Sequence, residues 1–166
     1  MANTDNPNGF YLSYSMVGHS ELVEGDIYKG AAAVTITRGD AVIEDGTTPG
    51  KVDIALANSG LILGVSVQSS VWTEAEALAG DTILFYPSAP WLVFNGQTDT
   101  GTAYALTYRY ATSDILGTTG IMELDLDGGS TYVAYIIGED PNTEIGTNSR
   151  VRFIWQKSSY IPLLAD

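Results

Sequence analysis

The strongest constraint on the fold comes from two segments rich in β-branched and aromatic residues, 131–138 and 150–155, which flank an acidic connection. Such residues suit the pleated, half-buried surface of a β-sheet. In the second segment Val151, Phe153 and Trp155 occupy alternate positions, so a strand would place them together on one face. The connection contains proline, glycine and asparagine, which favour irregular backbone. The sequence therefore predicts a strand, a loop and a strand.

Similar short runs recur along the chain, and turn residues separate them. Many short strands with such turns predict an all-β fold, a single β-sandwich or barrel-like domain. Gly64 interrupts an apolar run and predicts a close backbone approach or a bulge, whereas Asn95-Gly96 predicts a tight turn. The further predicted strands are 10–17, 25–36, 41–43, 52–57, 61–67, 82–86, 91–94, 104–110 and 121–127.

Residues 72–80 carry the helical signals of this sequence. Thr73 can cap a first turn, Glu76 lies three residues further on, and Gly80 stands where such a helix would end. The stretch is barely two turns long, so its helical state would be marginal without packing. The sequence leaves a helix and a loop both open here.

Charge and composition narrow the classes of partner. The 166 residues carry a net charge of −13 with only seven Lys and Arg residues, so nucleic acid and anionic membranes are not expected partners. Cysteine is absent, which excludes disulfides and thiolate metal sites. The N-terminal segment has no signal-peptide pattern, and no apolar segment reaches the ~20 residues of a membrane span. We expect a single domain, residues 11–166, with a polar arm, residues 1–10.

Nothing in the sequence selects a catalytic site. The single histidine, His19, precedes Ser20 and Glu21, but the members of a hydrolytic triad meet in space rather than along a short stretch. The twenty acidic residues supply many carboxylate pairs, and no feature selects one pair for glycoside hydrolysis. Residues 38–40 spell Arg-Gly-Asp, an integrin-binding tripeptide that is common by chance and suits a turn. We therefore expect a protein that is not an enzyme.

Asp125 and Asp127 are a candidate pair of metal ligands. Closely spaced carboxylates followed by a turn are compatible with calcium, yet the spacing of an EF-hand loop is incomplete. Strand alternation explains the same residues, because it places carboxylates on one face. We expect no metal and no cofactor, although the sequence alone leaves calcium binding by this pair open.

The C-terminal strand, loop and strand carry a resemblance to a known group of proteins. Residues 136–151 read IIGEDPNTEIGTNSRV, which resembles the C-terminal signature of small β-rich virion proteins of tailed bacteriophages, of the head decoration or cement type. Three further segments are similar to that group and follow its order. They are the polar lead 1–10 ending in Gly-Phe, the turn and strand 39–42, and the apolar run 62–65.

The resemblance implies a β-tulip-type domain with an extended N-terminal arm that decorates the outer surface of a capsid. It implies that the protein cements neighbouring subunits of the major capsid protein, as a homotrimer, after synthesis in the bacterial cytoplasm. The arm residues that the resemblance points to as capsid or subunit contacts are Asn3, Asp5, Pro7 and Phe10. Phe10 would be the apolar anchor of an arm that folding does not need.

Two alternative functions stay open at this point. One is a different virion component, such as the base of a head fibre or a tail protein. The other is a carbohydrate-binding β-sandwich, in which Trp72, Trp91 and Trp155 would provide stacking platforms.

Overall fold

The protein is built almost entirely from β-strands, as predicted. A computed structural model describes residues 3–27, 34–46, 48–57, 59–73, 75–76, 80–128 and 131–156. These residues form thirteen strands and one short 3-10 helix, Leu106–Tyr108. Within the described ranges, no helix has the length and apolar character that crossing a membrane requires.

The strands are short, in keeping with the frequent turn residues of the sequence. They are β1 (Tyr11–Ser15), β2 (Val23–Ile27), β3 (Val34–Ile36), β4 (Ala41–Glu44), β5 (Lys51–Ile54), β6 (Gly64–Ser66), β7 (Ser70–Trp72), β8 (Thr82–Pro87), β9 (Leu92–Gln97), β10 (Thr112–Leu116), β11 (Glu123–Asp125), β12 (Ala134–Glu139) and β13 (Arg150–Trp155).

Six strands form the larger sheet, in the order β1-β9-β13-β12-β10-β11. Every pair of neighbours in this sheet is antiparallel. β13 therefore lies between β9 and β12. The sequence segment that gives one of the strongest constraints on the fold is thus in the middle of the sheet. β1 and β11 form its two edges.

A second group of five strands closes on itself through the pairings β2-β5-β4-β6-β8 and back to β2. The closure depends on a short parallel pairing of β2 with β5, whereas the other pairs are antiparallel. In β6, a Cβ atom on Gly64 would lie 2.0 Å from the Tyr86 carbonyl oxygen on β8. The predicted close backbone approach at Gly64 is thus confirmed. β3 and β7 form a separate two-stranded sheet.

Aromatic rings fill the centre of the core against the larger sheet. Val151, Phe153 and Trp155 are all buried, which confirms the predicted face of β13. The Phe153 and Trp155 rings meet edge to face at a centroid distance of 4.9 Å. The same apolar cluster includes Val65 of β6 and Ile62, which lies just before β6. The larger sheet and the closed group of five strands therefore share one core.

Two predictions were wrong because tertiary contacts override local pattern. Asn95 and Gly96, predicted as a turn, lie inside β9, where Gly96 leaves space that the Phe10 ring occupies. Residues 104–110, predicted as a strand with its tyrosines on one face, contain the 3-10 helix instead. Tyr104 is buried there while Tyr110 is exposed with a positive φ of 68°.

The other strand predictions differ from the structure mainly at their ends. The predicted strand 121–127 is shorter, since only Glu123–Asp125 is a strand. Met122 and Leu124 are buried, as the alternation predicts. β7 and β10 were not predicted, and part of the predicted strand 25–36 lies outside the described residues.

The start of the helical candidate has the predicted capping geometry. Thr73 Oγ1 accepts a hydrogen bond from the Glu76 amide at 3.3 Å, and Glu76 Oε2 accepts one from the Thr73 amide at 2.7 Å. This reciprocal pair is a capping box. The bonds that the Thr73 amide and hydroxyl donate to Glu76 Oε2 hold the pKa of the Glu76 carboxyl below its usual value. Ala75 and Glu76 are helical, and the rest of the candidate up to Gly80 lies outside the described residues.

Candidate interaction surface

The N-terminal arm lies against its own domain, along the loop that joins β12 to β13. Residues 3–10 contain no regular secondary structure, as their polar composition predicts. We call the surface formed by residues 3–8, the loop 140–149 and Arg150 the arm–loop surface. Three side chains build it, one from the arm, one from β9 and one from β13.

Asn3 is the side chain of the arm that binds the loop. Its amide nitrogen donates to the carbonyl oxygens of Glu144 at 2.6 Å and Thr147 at 3.1 Å. Its amide oxygen accepts from the Glu144 amide at 3.1 Å and from the Thr143 hydroxyl at 3.2 Å. One asparagine thus satisfies both donors and acceptors of a loop whose Pro and Gly residues prevent regular pairing.

Gln97 supports the middle of the arm from the end of β9. Its amide nitrogen donates to Asp5 Oδ1 and to Glu123 Oε1, both at 3.0 Å, and its oxygen accepts from the Asn6 amide at 3.2 Å. The pKa of the Glu123 carboxyl is raised, chiefly by burial and further by the charges of Asp5 and Asp99. Gln97 is itself almost fully buried, so its orientation is fixed.

Arg150, the first residue of β13, binds the arm from the other side. Its Nη2 donates to the Asn6 carbonyl oxygen at 3.2 Å and to Asn8 Oδ1 at 3.0 Å. Its guanidinium carbon lies 5.8 Å from the centre of the Tyr11 ring, in the range of a cation–π contact. Burial raises the pKa of the Tyr11 hydroxyl, and the charge of Arg150 opposes that shift.

A polar pocket of about 260 Å³ lies within the arm–loop surface, lined by Asn3, Tyr11, Asn148, Arg150 and neighbouring polar residues. Two of its buried polar atoms, Asn148 Oδ1 and Arg150 Nη1, have no hydrogen-bond partner among the described residues. Buried polar groups are paired in most proteins, by protein atoms or by water. Both atoms are buried, so each is an unpaired polar group beneath the surface.

The loop is held at its β12 end by an ion pair. Arg109 Nη2 donates to both carboxylate oxygens of Glu139, at 2.6 and 2.8 Å. The bond from Arg109 lowers the pKa of the Glu139 carboxyl. On the facing strand, Arg152 Nε donates to the Glu139 carbonyl oxygen at 3.2 Å. The acidic start of the loop is thus fixed relative to β13.

Phe10 lies in the core rather than on a free arm. Its side chain is 1% exposed, and its ring meets Phe153 and Trp155 edge to face at centroid distances of 5.4 and 5.5 Å. The Phe10 amide donates to the Gly39 carbonyl oxygen at 2.7 Å. The prediction that folding does not need residue 10 is therefore corrected, because the core would lose a central ring.

The remaining arm residues of the sequence prediction stay near the surface. Asn3 and Pro7 are half-buried and Asp5 is exposed. The structure brings Asn3 and Asp5 into the arm–loop surface through their bonds to the loop and to Gln97. Contact of these residues with a capsid or a second subunit stays a prediction.

Two other candidates from the sequence have structural explanations. Asp40 of the Arg-Gly-Asp triplet is fully buried, and its carboxylate accepts bonds from the Thr37 and Gly120 amides, each at 2.7 Å. It therefore stabilises a turn and is not accessible to a receptor. His19, Ser20 and Glu21 are all exposed in the loop between β1 and β2.

The three tryptophans do not form a shared stacking surface. Trp72 and Trp155 are buried, at 6% and 1% exposure, while Trp91 is 44% exposed. A sugar ring can stack only on an exposed aromatic face. The proposed set of carbohydrate platforms is therefore wrong for two of its three members.

Comparison with protein-family models, with curated proteins and with solved structures gives no match.

Sequence reasoning missed Gln97 and Arg150 as residues that hold the arm, and it missed Asp99, which lies close to the candidate metal-ligand pair Asp125 and Asp127. The signal for Arg150 was available, because it ends the loop at the first position of a predicted strand. Gln97 was hidden by the turn predicted at Asn95-Gly96, which separated it from β9. Asp99 is brought toward Asp125 by the bridge between Thr98 and Leu124, which local patterns do not encode.

Proposed function

We propose that this chain is a structural protein of a tailed-bacteriophage virion, which decorates the outside of the capsid and links neighbouring major capsid subunits. The arm–loop surface is the part that contacts the capsid. The proposal rests on the resemblance of four sequence segments to virion decoration proteins, together with the arrangement of those segments in space.

One observation carries the proposal: the four segments contact one another although they are far apart in sequence. Asn3 of the first segment binds Thr143 and Glu144 of the last. Phe10, which ends the first segment, donates to Gly39, which begins the second. The second and third segments are neighbours through the pairing of β4 with β6.

The mechanism is binding that favours the assembled shell. A protein that binds neighbouring subunits in a shell, but not separated subunits, stabilises the shell by mass action. The exposed polar residues of the arm–loop surface, among them Thr4, Asn142 and Thr147, offer donors and acceptors for polar groups of the capsid. The net charge of −13 would favour a complementary basic region on the capsid surface.

Exposed apolar side chains near β1 support self-association, for which we propose a homotrimer. Tyr14, Met16, Val17 and Trp91 are all more than two-fifths exposed. The Met16 amide donates to the Trp91 carbonyl oxygen at 2.8 Å, so the two residues are neighbours. Light scattering on purified protein and reconstruction of decorated particles measure the oligomer, and monomers in both experiments would refute it.

The binding experiment uses capsids assembled from the major capsid protein encoded in the same genome. The full chain should co-sediment with these capsids and raise their disruption temperature. A variant that begins at Gly9, which keeps Phe10, should keep its fold but bind poorly, and Arg150→Ala should weaken binding. Arg38→Ala, an exposed arginine outside the arm–loop surface, should bind like the full chain.

Electron microscopy of the particles distinguishes the proposal from another role in the virion. Density on the outer faces of the capsid lattice supports decoration. Density only at a fibre base or on the tail would overturn it, and full occupancy by the variant that begins at Gly9 would overturn the assignment of the arm–loop surface as the capsid contact.

A further inference from the structure

Three aspartates meet at one end of the larger sheet, although two of them are separated by 26 positions in the sequence, from Asp99 to Asp125. Asp99 lies two residues after β9, Asp125 ends β11, and Asp127 follows it. One carboxylate oxygen from each residue lies within 4.8 Å of those from the other two. The Asp99 amide donates to the Leu124 carbonyl oxygen at 3.0 Å, which holds the two chain segments together.

Asp99 is the unusual member of this cluster, because its carboxylate is buried without full pairing. The residue is 6% exposed. Its Oδ2 accepts from the Gly101 amide at 2.7 Å, but its buried Oδ1 has no hydrogen-bond partner among the described residues. A buried carboxylate oxygen normally has a donor or a cation as partner.

No positive charge in the described part of the chain compensates the cluster. None of the three carboxylates forms an ion pair with a described Lys, Arg or His side chain. Like charges this close are unfavourable unless a proton or a cation neutralises them.

The backbone positions two of these carboxylates with the help of glycines. Asp125 Oδ1 accepts from the Gly128 amide at 2.8 Å, in the same way that Asp99 accepts from Gly101. A Cβ atom on Gly128 would lie 1.8 Å from Asp125 Oδ2, and one on Gly101 would lie 2.6 Å from Asp99 Oδ2. Both carboxylates therefore occupy space that any other residue would take.

We propose that Asp99, Asp125 and Asp127 bind a calcium ion. Ligands that are all oxygen select a hard cation, and calcium accepts irregular geometry with ligands at about 2.3–2.6 Å. Two oxygens on opposite sides of one such ion are separated by about 5 Å, and every pair among the three carboxylate oxygens is closer than that, within 4.8 Å, so each pair is within reach of one ion. Magnesium, with ligands at about 2.0–2.1 Å in a near-ideal octahedron, loses its bound water reluctantly and fits an irregular set of three carboxylates less well.

Calcium would neutralise the unpaired Asp99 oxygen and connect the end of β9 to the end of β11. These strands lie apart in the order of the sheet, and β11 is an edge strand. The ion would thus fasten an edge of the sheet close to Glu123, which shares Gln97 with the arm. Binding should therefore stabilise the folded chain by mass action.

The test is calcium titration of purified full-length protein freed of divalent ions with EDTA. Isothermal calorimetry should give one saturable calcium site per chain, and calcium should raise the melting temperature more than magnesium at equal ionic strength. Asp99→Asn and Asp127→Asn should each weaken calcium binding at least tenfold. Asp81→Asn, an exposed carboxylate outside the cluster, should bind calcium like the wild type.

Asp127 is exposed, so its variant should fold even if Asp99→Asn does not, and it is then the decisive variant. Wild-type protein that shows no saturable binding at millimolar calcium would overturn the proposal. So would an Asp127→Asn variant that keeps the wild-type affinity and the wild-type shift in melting temperature.

Discussion

At the scale of single residues, alternate positions of β13 should differ sharply in their contribution to stability. Phe153 is fully buried among aromatic rings, so Phe153→Ala should cost about 3–5 kcal/mol of the free energy of unfolding. Arg152 on the opposite face is half-buried, and Arg152→Ala should cost far less. Urea denaturation of both variants measures the difference. Equal losses would mean that the strand has a different register.

Gly96 offers a second test of the core, because the absence of a side chain at this position leaves room for the Phe10 ring. A Cβ atom at this position would lie 2.5 Å from Cδ1 of the buried Phe10 ring. Gly96→Ala should therefore destabilise the protein by about 1–3 kcal/mol through overpacking. Gly60→Ala is the matched control, since no atom lies within 4 Å of its added Cβ. Thermal melts that are lowered equally by both variants would contradict this account.

At the scale of elements, the arm divides into a polar part and one core residue. Phe10→Ala should cost about 3–5 kcal/mol, because the ring packs between Phe153 and Trp155. A variant that begins at Gly9 loses hydrogen bonds worth about 1 kcal/mol each but regains backbone entropy of about 1–2 kcal/mol per residue. Its net loss of stability should be small.

Denaturation of the two arm variants under the same conditions tests this division. If the variant that begins at Gly9 loses as much stability as Phe10→Ala, the polar residues of the arm belong to the folding unit. In that case the folded domain begins within the polar part of the arm, before Gly9.

Elements with local signals could be predicted from the sequence, and elements fixed by distant contacts could not. β13 was predicted with its buried face because Val151, Phe153 and Trp155 alternate within six residues. The 3-10 helix was missed because residues 104–110 also alternate, yet the Tyr104 amide bonds to the Gly146 carbonyl oxygen of the arm–loop surface instead of a neighbouring strand.

The two candidate sites differ in the same way. The arm was predicted as a contact region from its composition and its resemblance, but its docking depends on Gln97 and Arg150, which are far away in sequence. The sequence indicates Asp125 and Asp127 as a candidate pair of metal ligands. The third carboxylate, Asp99, is brought close to them by strand pairing, which the local sequence does not reveal. Long-range pairing of β-strands therefore sets the limit of prediction for both sites.

At the scale of the whole molecule, negative charge opposes folding near neutral pH. Twenty acidic and seven basic side chains give a net charge of −13, and self-repulsion of this kind destabilises a compact state. Asp53 on β5 adds a specific contribution. Burial, and to a lesser degree the charge of Asp45, raise the pKa of its carboxyl, whereas a bond from the Ile54 amide lowers it.

The direction of the pH dependence follows from this shift. A carboxyl whose pKa is higher in the folded state binds protons more readily there, so its contribution favours folding at low pH and is lost as the pH rises through the folded value. Unfolded aspartate titrates near a pKa of about 3.9. The Asp53 contribution should therefore grow as the pH falls through its folded pKa toward about 3.9, and the melting temperature should rise over that range because protonation of other carboxyls also reduces the overall repulsion. Asp53→Asn should flatten this dependence, and sodium chloride at pH 8 should raise the melting temperature by screening.

Thermal melts in EDTA across pH and salt measure both effects without contribution from divalent ions. A melting temperature that falls as the pH drops below about 4.3 would show that groups with lowered pKa, such as Glu139 beside Arg109, dominate instead.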